Sequence, residues 1–315
     1  MLVFITSFST NSQGQNIKPY KIYSLPLNVD ESSGLIFINE NLLVTHNDSR
    51  NPADLYFLES NGKSYSQHFP ELVNHDWEEA CYRFPDLYVG DFGNNCNCRQ
   101  DLSVLHFVQY TDSTGKILFE FKNKISFNYS DQTNFPPGKS NFNFDCEAMI
   151  LQNNSLVLFS KNKSIQGTGF TKIYSLDLNQ TSTTAHLLDS IFTKEAITAA
   201  AVSNSGDTIL LMGYFSLINL KVMDSVDYKF DFINQFFWKT LTQKEAICIG
   251  TNNQIFMTDE RHGVGGNLYT LSWQTLQQHM MSNQVATTIK TPMISKFLKL
   301  QALVYLHLST LHFTH

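Results

Sequence analysis

The sequence predicts an all-β chain arranged as a β-propeller, and three observations carry that prediction. A motif of one small residue, a short apolar strand, a polar turn and a second apolar strand recurs five times along 315 residues. Most copies are followed by a third strand with an aromatic signature: "ADLYFLES", "LSVLHFVQY", "TKIYSLDL", "GNLYTLSW". Asn, Ser and Thr cluster between the apolar runs, where their side chains bond to nearby backbone and favour turns. Four antiparallel strands repeated about every 45 to 70 residues describe propeller blades. With 25 Phe and 13 Tyr against 16% charged residues, the chain has ample apolar material for one large core.

The opening stretch, "MLVFITSFSTNSQGQ", is apolar and then small and polar. It fits the apolar and cleavage regions of a secretory signal that lacks its basic start, over residues 1–15; the alternative is a buried first strand. Asn11 to Asn16 make a poor continuation of any strand. Next, "KPYKIYSLPL" matches a third or fourth blade strand without its first two, so it is expected to complete the last blade and close the ring. The repeats follow: "ESSGLIFINENLLVTHNDS" from Glu31, "WEEACYRFPDLYVGDFGNN" from Trp77, "DCEAMILQNNSLVLFSKNK" from Asp145, "ITAAAVSNSGDTILLMGYF" from Ile197 and "QKEAICIGTNNQIFMTDER" from Gln243. Their small residues are Gly34, Ala80, Ala148, Ala199 and Ala246, which suit innermost strands crowding at an axis. Weaker fourth strands appear in "KISFNYS" and "AHLLDSIF". The propeller is expected over residues 17–290, with five countable repeats in a five- or six-bladed ring. Residues 291–315 lack the repeat pattern and are expected to form a peripheral tail.

Acids stand at a recurrent place in these repeats. Glu79, Glu147 and Glu245 each precede the small residue, with Glu31, Glu78 and Asp145 close behind. Glutamate forms neither turns nor strands readily, so turn chemistry does not explain its recurrence. In a blade the start of the first strand and the end of the second emerge at one mouth. The second strands end on His46, Asn47 and Asp48, on Asp91, Asn94 and Asn95, on Lys161, on Tyr214, and on Asp259 and Arg261. An acidic ring is therefore expected there. Wet channels and Asp–Gly turns also place acids in propellers without any binding role.

The formal charge of −6 with no basic run argues against a nucleic-acid partner. No stretch reaches the roughly 20 apolar residues of a membrane span. Five cysteines are present. Cys81, Cys146 and Cys248 read as small buried hydrophobes in strands. Cys96 and Cys98 form a C-x-C in a polar loop, expected to pair with another loop or to have no role, since no second ligand pair for zinc is evident.

At "WEEACYRFPDLYVGDFGNNCNCRQDL", "FDCEAM" and "QKEAI" the chain resembles the secreted β-propeller proteins of Bacteroidota. More distantly, the strand starts are similar to SdiA-regulated periplasmic propellers and to esterase-like phytase domains. The resemblance covers Pro19 to Trp273 and implies a propeller fold, export to the periplasm, cell surface or medium, and a cation, calcium above all, at the acidic mouth. The fourth repeat departs from the pattern with Thr198 before Ala199, and the C-terminal tail matches no sorting domain of that group.

Three functions suit such a mouth. In the first, Glu79, Glu147, Glu245, Glu31 and Asp145 hold Ca²⁺ through hard oxygen donors, and Asn47, Asp48, Asn94, Asn95 and Asp259 help bind an extracellular small molecule, carbohydrate or phosphoester. In the second, the protein is a calcium-dependent hydrolase of phosphoesters, esters or lactones. His46 or Asp91 would then act on the proton, and Lys161, Arg99 and Arg261 would bind an anionic substrate. In the third it is a protein-interaction scaffold. No G-x-S-x-G nucleophile motif occurs, and the chain is expected to be a monomer.

Overall fold

The computed structural model describes residues 15–163, 168–225, 228–239, 242–261 and 264–278. The expected signal peptide up to residue 14 and the expected tail from 291 lie outside the described residues. The chain divides after Leu271; of its second unit only residues 272–278 are described, helical from 273. Among the described residues no helix is long and apolar enough to cross a membrane.

Two short strands open the first unit, β1 (Gln15–Ile17) and β2 (Tyr20–Ser24). The repeats then fold as read. The first gives β3 (Ser32–Asn39), β4 (Leu42–Asn47), β5 (Asp54–Glu59) and β6 (Ser64–His68). The second gives β7 (Trp77–Arg83), β8 (Asp86–Asp91), β9 (Ser103–Thr111) and β10 (Ile117–Tyr129). The third gives β11 (Asp145–Gln152), β12 (Ser155–Lys161), β13 (Phe170–Asp177) and β14 (Ser182–Phe192). The fourth gives β15 (Ile197–Val202), β16 (Thr208–Gly213), β17 (Ser216–Asp224) and β18 (Lys229–Trp238). The fifth supplies β19 (Lys244–Ile249), β20 (Gln254–Asp259) and β21 (Asn267–Ser272).

Within each repeat the strands pair antiparallel in chain order, inside to outside. The fifth set lacks a fourth strand of its own, and β2 supplies it by pairing antiparallel to β21. This is the ring closure expected of "KPYKIYSLPL". Arg261 secures it, donating from Nη2 to the carbonyls of Leu25 (2.7 Å) and Pro26 (3.1 Å). The innermost strands touch in a closed circuit, β3 to β7 to β11 to β15 to β19 and back to β3. Two pairings go beyond the repeat. The outer strands β10 and β14 pair in parallel, joining the second and third sets into one eight-stranded sheet. Strand β1 adds in parallel to β18 and buries Ile17, so Asn16 does stand in a strand, at an edge where its polar side chain meets solvent.

Strand burial follows position. Strand β4, flanked on both sides and covered on both faces, is buried at every residue, while outermost β6 alternates between exposed and half-buried. Apolar layers fill the space between neighbouring sets. One joins the first and second around Trp77, Phe57, Phe107 and Phe119; another joins the second and third around Phe92, Phe127, Tyr129 and Tyr174. Each such side chain contributes about 1.5–3 kcal/mol by leaving water.

One irregularity recurs. Every innermost strand breaks its pairing with the next strand just before its small stretch, between Trp77 and Ala80, Cys146 and Ala148, Ile197 and Ala199, and Lys244 and Ala246. The residues displaced are Glu79 with Glu78, Glu147, Thr198 and Glu245. In β3 the break lies between Ser32 and Leu35, so the registers equate Leu35 with Ala80. Gly34 thus stands one place earlier than the sequence repeat suggests, at the displaced position itself. It is small for a local reason: a Cβ there would lie 2.3 Å from His46 Nε2 and 2.8 Å from the Ala80 nitrogen. These bulges decide where the acids point.

Candidate functional site: an acidic mouth

The starts of the innermost strands and the ends of the second strands meet at one end of the channel, and two overlapping carboxylate groups form there. Asp48, Asp76 and Glu78 make one; Glu78, Asp145 and Glu147 make the other. In each, one oxygen from every residue lies within 4.8 Å of the other two. Glu78 belongs to both and is only 4% exposed. Room for it comes from Gly93 of "DFGNN": a Cβ at that position would lie 2.3 Å from Glu78 Oε1 and 2.4 Å from Asp76 Oδ2. The Gly93 amide donates to the Asp76 carbonyl at 3.1 Å, holding the loop against the strand start.

The two groups differ in how their charge is met. Lys161 Nζ bonds Glu147 and the Tyr214 hydroxyl (2.7 Å), and lies over the Tyr214 ring. Lys163 Nζ lies 2.7 Å from Asp145 Oδ2 and also binds Asn95. No ammonium or guanidinium among the described residues forms an ion pair with Asp48, Asp76 or Glu78. Burial, with Asp76, Glu260 and Glu31 nearby, pushes Asp48 up to about 7. Burial and then Asp145 raise Asp76, which Arg99 partly offsets. Glu78 is held well above the usual carboxylate range by burial and then by Glu147, Asp48, Asp145 and Asp76. Burial also carries Glu147 to about 8, against the pull of Lys161. Glu245, buried and facing Glu147, is raised well above its ordinary value, and it reinforces the charge on Lys161. Such a field favours protons or a cation.

The expected site residues separate into three groups. Glu147, Asp145, Asp48, Lys161 and Glu245 lie in or beside the cluster, and Glu31 adjoins it, with Oε2 accepting from Asn51 Nδ2 at 2.6 Å. A second group frames the mouth. Asp91 takes Arg99 Nη2 (3.0 Å), His75 Nδ1 (2.9 Å) and the Asp76 amide (3.1 Å). The Asn94 side chain accepts the amides of Cys98 and Arg99 (both 2.9 Å) and donates to the Phe144 carbonyl, while its own amide donates to Asp145 Oδ1 at 2.7 Å. Asn47 Nδ2 donates to the Asn28 carbonyl at 2.9 Å.

The third group points elsewhere. Glu79 is fully buried and accepts the amides of Ala80 (3.0 Å) and Ala200 (2.9 Å), so its carboxyl reaches across the channel from β7 to β15. Burial raises it well above the usual range. The glutamates of "DWEEA", "DCEAM" and "QKEAI" therefore do not meet as one ring; Glu78 takes the place expected of Glu79. Likewise Asp259 turns into the fifth set, bonding Tyr269 Oη at 2.7 Å and the Asn267 amide at 2.8 Å, and Glu260 faces the mouth instead. His46 is fully buried with its ring edge-on to Trp77. Its Nδ1 donates to the Asn47 carbonyl at 3.1 Å, and burial depresses it to about 4, so it stays neutral. Arg261 is taken up by the ring closure. Cys96 and Cys98 are joined to each other rather than to another loop. Asp76, Lys163 and His75 were not among the expected site residues; for Asp76 the run of acids in "HDWEE" was the available signal.

Asp48, Asp76 and Glu78 each offer a carboxylate oxygen, the hard donor that calcium prefers. No family model matches the chain, and no curated protein matches it in sequence. Solved structures are similar in strand arrangement. The Escherichia coli soluble aldose sugar dehydrogenase is 8% identical, covers 79% of this chain and 98% of its own, and has a TM-score of 0.48. A gluconolactonase from Xanthomonas campestris is 8% identical over 79% of this chain and 77% of its own, with a TM-score of 0.43. A protein of unknown function from Bacteroides thetaiotaomicron is 9% identical over 77% and 69%, with a TM-score of 0.42. At such identities none of their activities transfers to this chain.

Proposed function

We propose that this protein is an exported propeller that binds a divalent cation, calcium by the chemistry of its donors, at the acidic mouth, and takes a small hydroxylated or anionic ligand beside it. One observation carries the reading: Asp48, Asp76 and Glu78 converge within 4.8 Å without an ion-pair partner among the described residues, and Gly93 makes the space. The neighbouring trio is already balanced by Lys161 and Lys163, so the first is the better cation site. Asp48 and Asp76 are half-buried and open toward solvent, which leaves coordination positions for water or a ligand. The Cys96–Cys98 bond and the resemblance to exported propellers both support an oxidising compartment.

Hydrolysis of a phosphoester, ester or lactone is the second reading. What favours it is Glu147, held at about 8 and bonded to Lys161, because a proton donor or acceptor works best near ambient pH. The test is a titration of chelator-treated protein with Ca²⁺, Mg²⁺ and Mn²⁺ by calorimetry and thermal melting. Binding of calcium supports the cation site; no heat and no change in melting with any of the three overturns it and returns the protein to the scaffold reading.

A further inference from the structure

The loop after β8 carries a bond that the cation site does not use, between Cys96 and Cys98 across a single intervening residue. Both cysteines are exposed, whereas Cys81, Cys146 and Cys248 are buried, so thiol chemistry in the folded protein is confined to this pair. A disulfide restrains the unfolded chain more the longer the loop it closes, and a loop this short gives the bond little stabilising value. Exposed disulfides are the ones that exchange with thiols. The residue between the two sulfurs is clamped. Asn97 is fully buried with its backbone in the left-handed region, at φ 51°. Its amide (2.6 Å) and its Nδ2 (3.1 Å) both donate to the Asn94 carbonyl. Its Oδ1 accepts the Phe144 amide and its carbonyl accepts Gln132 Nε2, both at 2.8 Å. None of these four bonds involves sulfur, so they persist when the S–S bond opens and keep the two thiols side by side.

The two sulfurs are not equivalent. The Cys98 amide donates to Cys96 Sγ at 3.2 Å, and Asn94 Oδ1 lies 3.7 Å from the same sulfur. Cys96 is therefore the better leaving group: an N–H stabilises its thiolate, and Asn94 accepts its S–H once a proton arrives. From this geometry we infer that Cys96–Cys98 is a redox-active disulfide that oxidises dithiols. An incoming thiolate attacks Cys98 Sγ, the S–S bond breaks, and its electron pair leaves on Cys96. The second thiolate of the substrate then attacks the substrate sulfur of the mixed disulfide and expels Cys98. The dithiol loses two electrons and two protons to become a disulfide, and Cys96 and Cys98 end as thiols. A small-molecule disulfide restores the pair by the reverse exchange.

The test places the full chain, with chelator present throughout, in glutathione buffers of graded thiol-to-disulfide ratio and reads each cysteine by alkylation and mass spectrometry. The pair should pass from closed to open across those buffers while Cys81, Cys146 and Cys248 stay unlabelled. Limiting iodoacetamide should label reduced Cys96 ahead of Cys98. With oxidised glutathione supplied, a peptide bearing two cysteines should be oxidised about tenfold faster, or more, by the parent than by the Cys96→Ser/Cys98→Ser protein. Asn97→Gly keeps both sulfurs and releases the clamp, so its pair should open at a thiol-to-disulfide ratio about tenfold lower. A pair that keeps one state in every buffer while the protein stays folded would overturn the proposal. So would first labelling at Cys98, peptide oxidation no faster than with the double variant, or an Asn97→Gly pair that opens at the parent's ratio. Calcium enters none of these measurements, so the cation reading stands or falls separately.

Discussion

Replacing Glu78 by Gln separates a cation site from a merely wet channel, because the two readings give effects of opposite sign on stability. Glu78 is 4% exposed, and burial with four neighbouring acids raises it well above its ordinary value of 4.5. Such a carboxyl is costly to bury, whether it stays charged among its neighbours or takes up a proton that the unfolded chain would release. Glutamine has the same shape and no proton to hold. In chelator-treated protein, Glu78→Gln is therefore expected to raise stability, and with it the melting temperature, by about 2–4 °C for each kcal/mol gained. With calcium the order reverses. A cation at a hundredfold excess over its dissociation constant adds about 2.7 kcal/mol to the parent, and Glu78→Gln should lose most of that gain because its side chain belonged to both carboxylate groups. Glu147→Gln gives the contrast. It removes the charge that Lys161 meets once Glu147 ionises, so at pH 9, above the value of about 8, it should destabilise the protein by about 1–3 kcal/mol with or without calcium. Differential scanning calorimetry of the parent and both variants, with chelator and with calcium, reads all of these. An equal calcium response in Glu78→Gln and parent would refute the reasoning, and so would a Glu78→Gln protein less stable than the parent in chelator.

Three further outcomes follow from the same geometry. Asp48 rises from 3.8 to about 7 and Glu147 from 4.5 to about 8, so the folded state binds protons more tightly than the unfolded one. Their contribution to stability is complete below the ordinary carboxylate values and is lost as pH rises through 7 and 8; melting of calcium-free protein should fall over that window, while calcium affinity increases. A flat profile between pH 5 and 9 would contradict the raised carboxyls. Gly93→Ala places a methyl 2.3 Å from Glu78 Oε1, so calorimetry should show calcium binding about tenfold weaker or absent; unchanged affinity would mean that Gly93 makes no room for a cation. Glu79→Ala orphans the buried amides of Ala80 and Ala200, at about 1–3 kcal/mol each by urea unfolding, yet should leave calcium binding intact; loss of binding would put Glu79 in the site after all.

Much of the architecture was legible in the residues. The fivefold recurrence of small residue, apolar strand, turn and apolar strand placed the innermost strands, and "KPYKIYSLPL" announced the closure that β2 makes on β21. Both are period-two patterns bounded by turn residues, which local sequence carries in full. The parallel join of β10 to β14 was not legible, because strand edges meet there through backbone groups that every sequence shares.

The candidate site divides along the same line. The recurrent acids of "DWEEA", "DCEAM" and "QKEAI" by themselves determined that carboxylates gather at one end of the channel. Tertiary structure alone decided which of them meet. A bulge at the start of each innermost strand interrupts the alternation by which a strand's faces are counted, so Glu78 rather than Glu79 joins the cluster, while Asp259 is drawn into the fifth set by Tyr269 and Asn267. Composition likewise could not tell that Lys161 and Lys163 pair with one trio, while the other has no ion-pair partner among the described residues. Charge balance depends on distances of a few ångströms between residues far apart in the chain, and those distances exist only once the ring has closed.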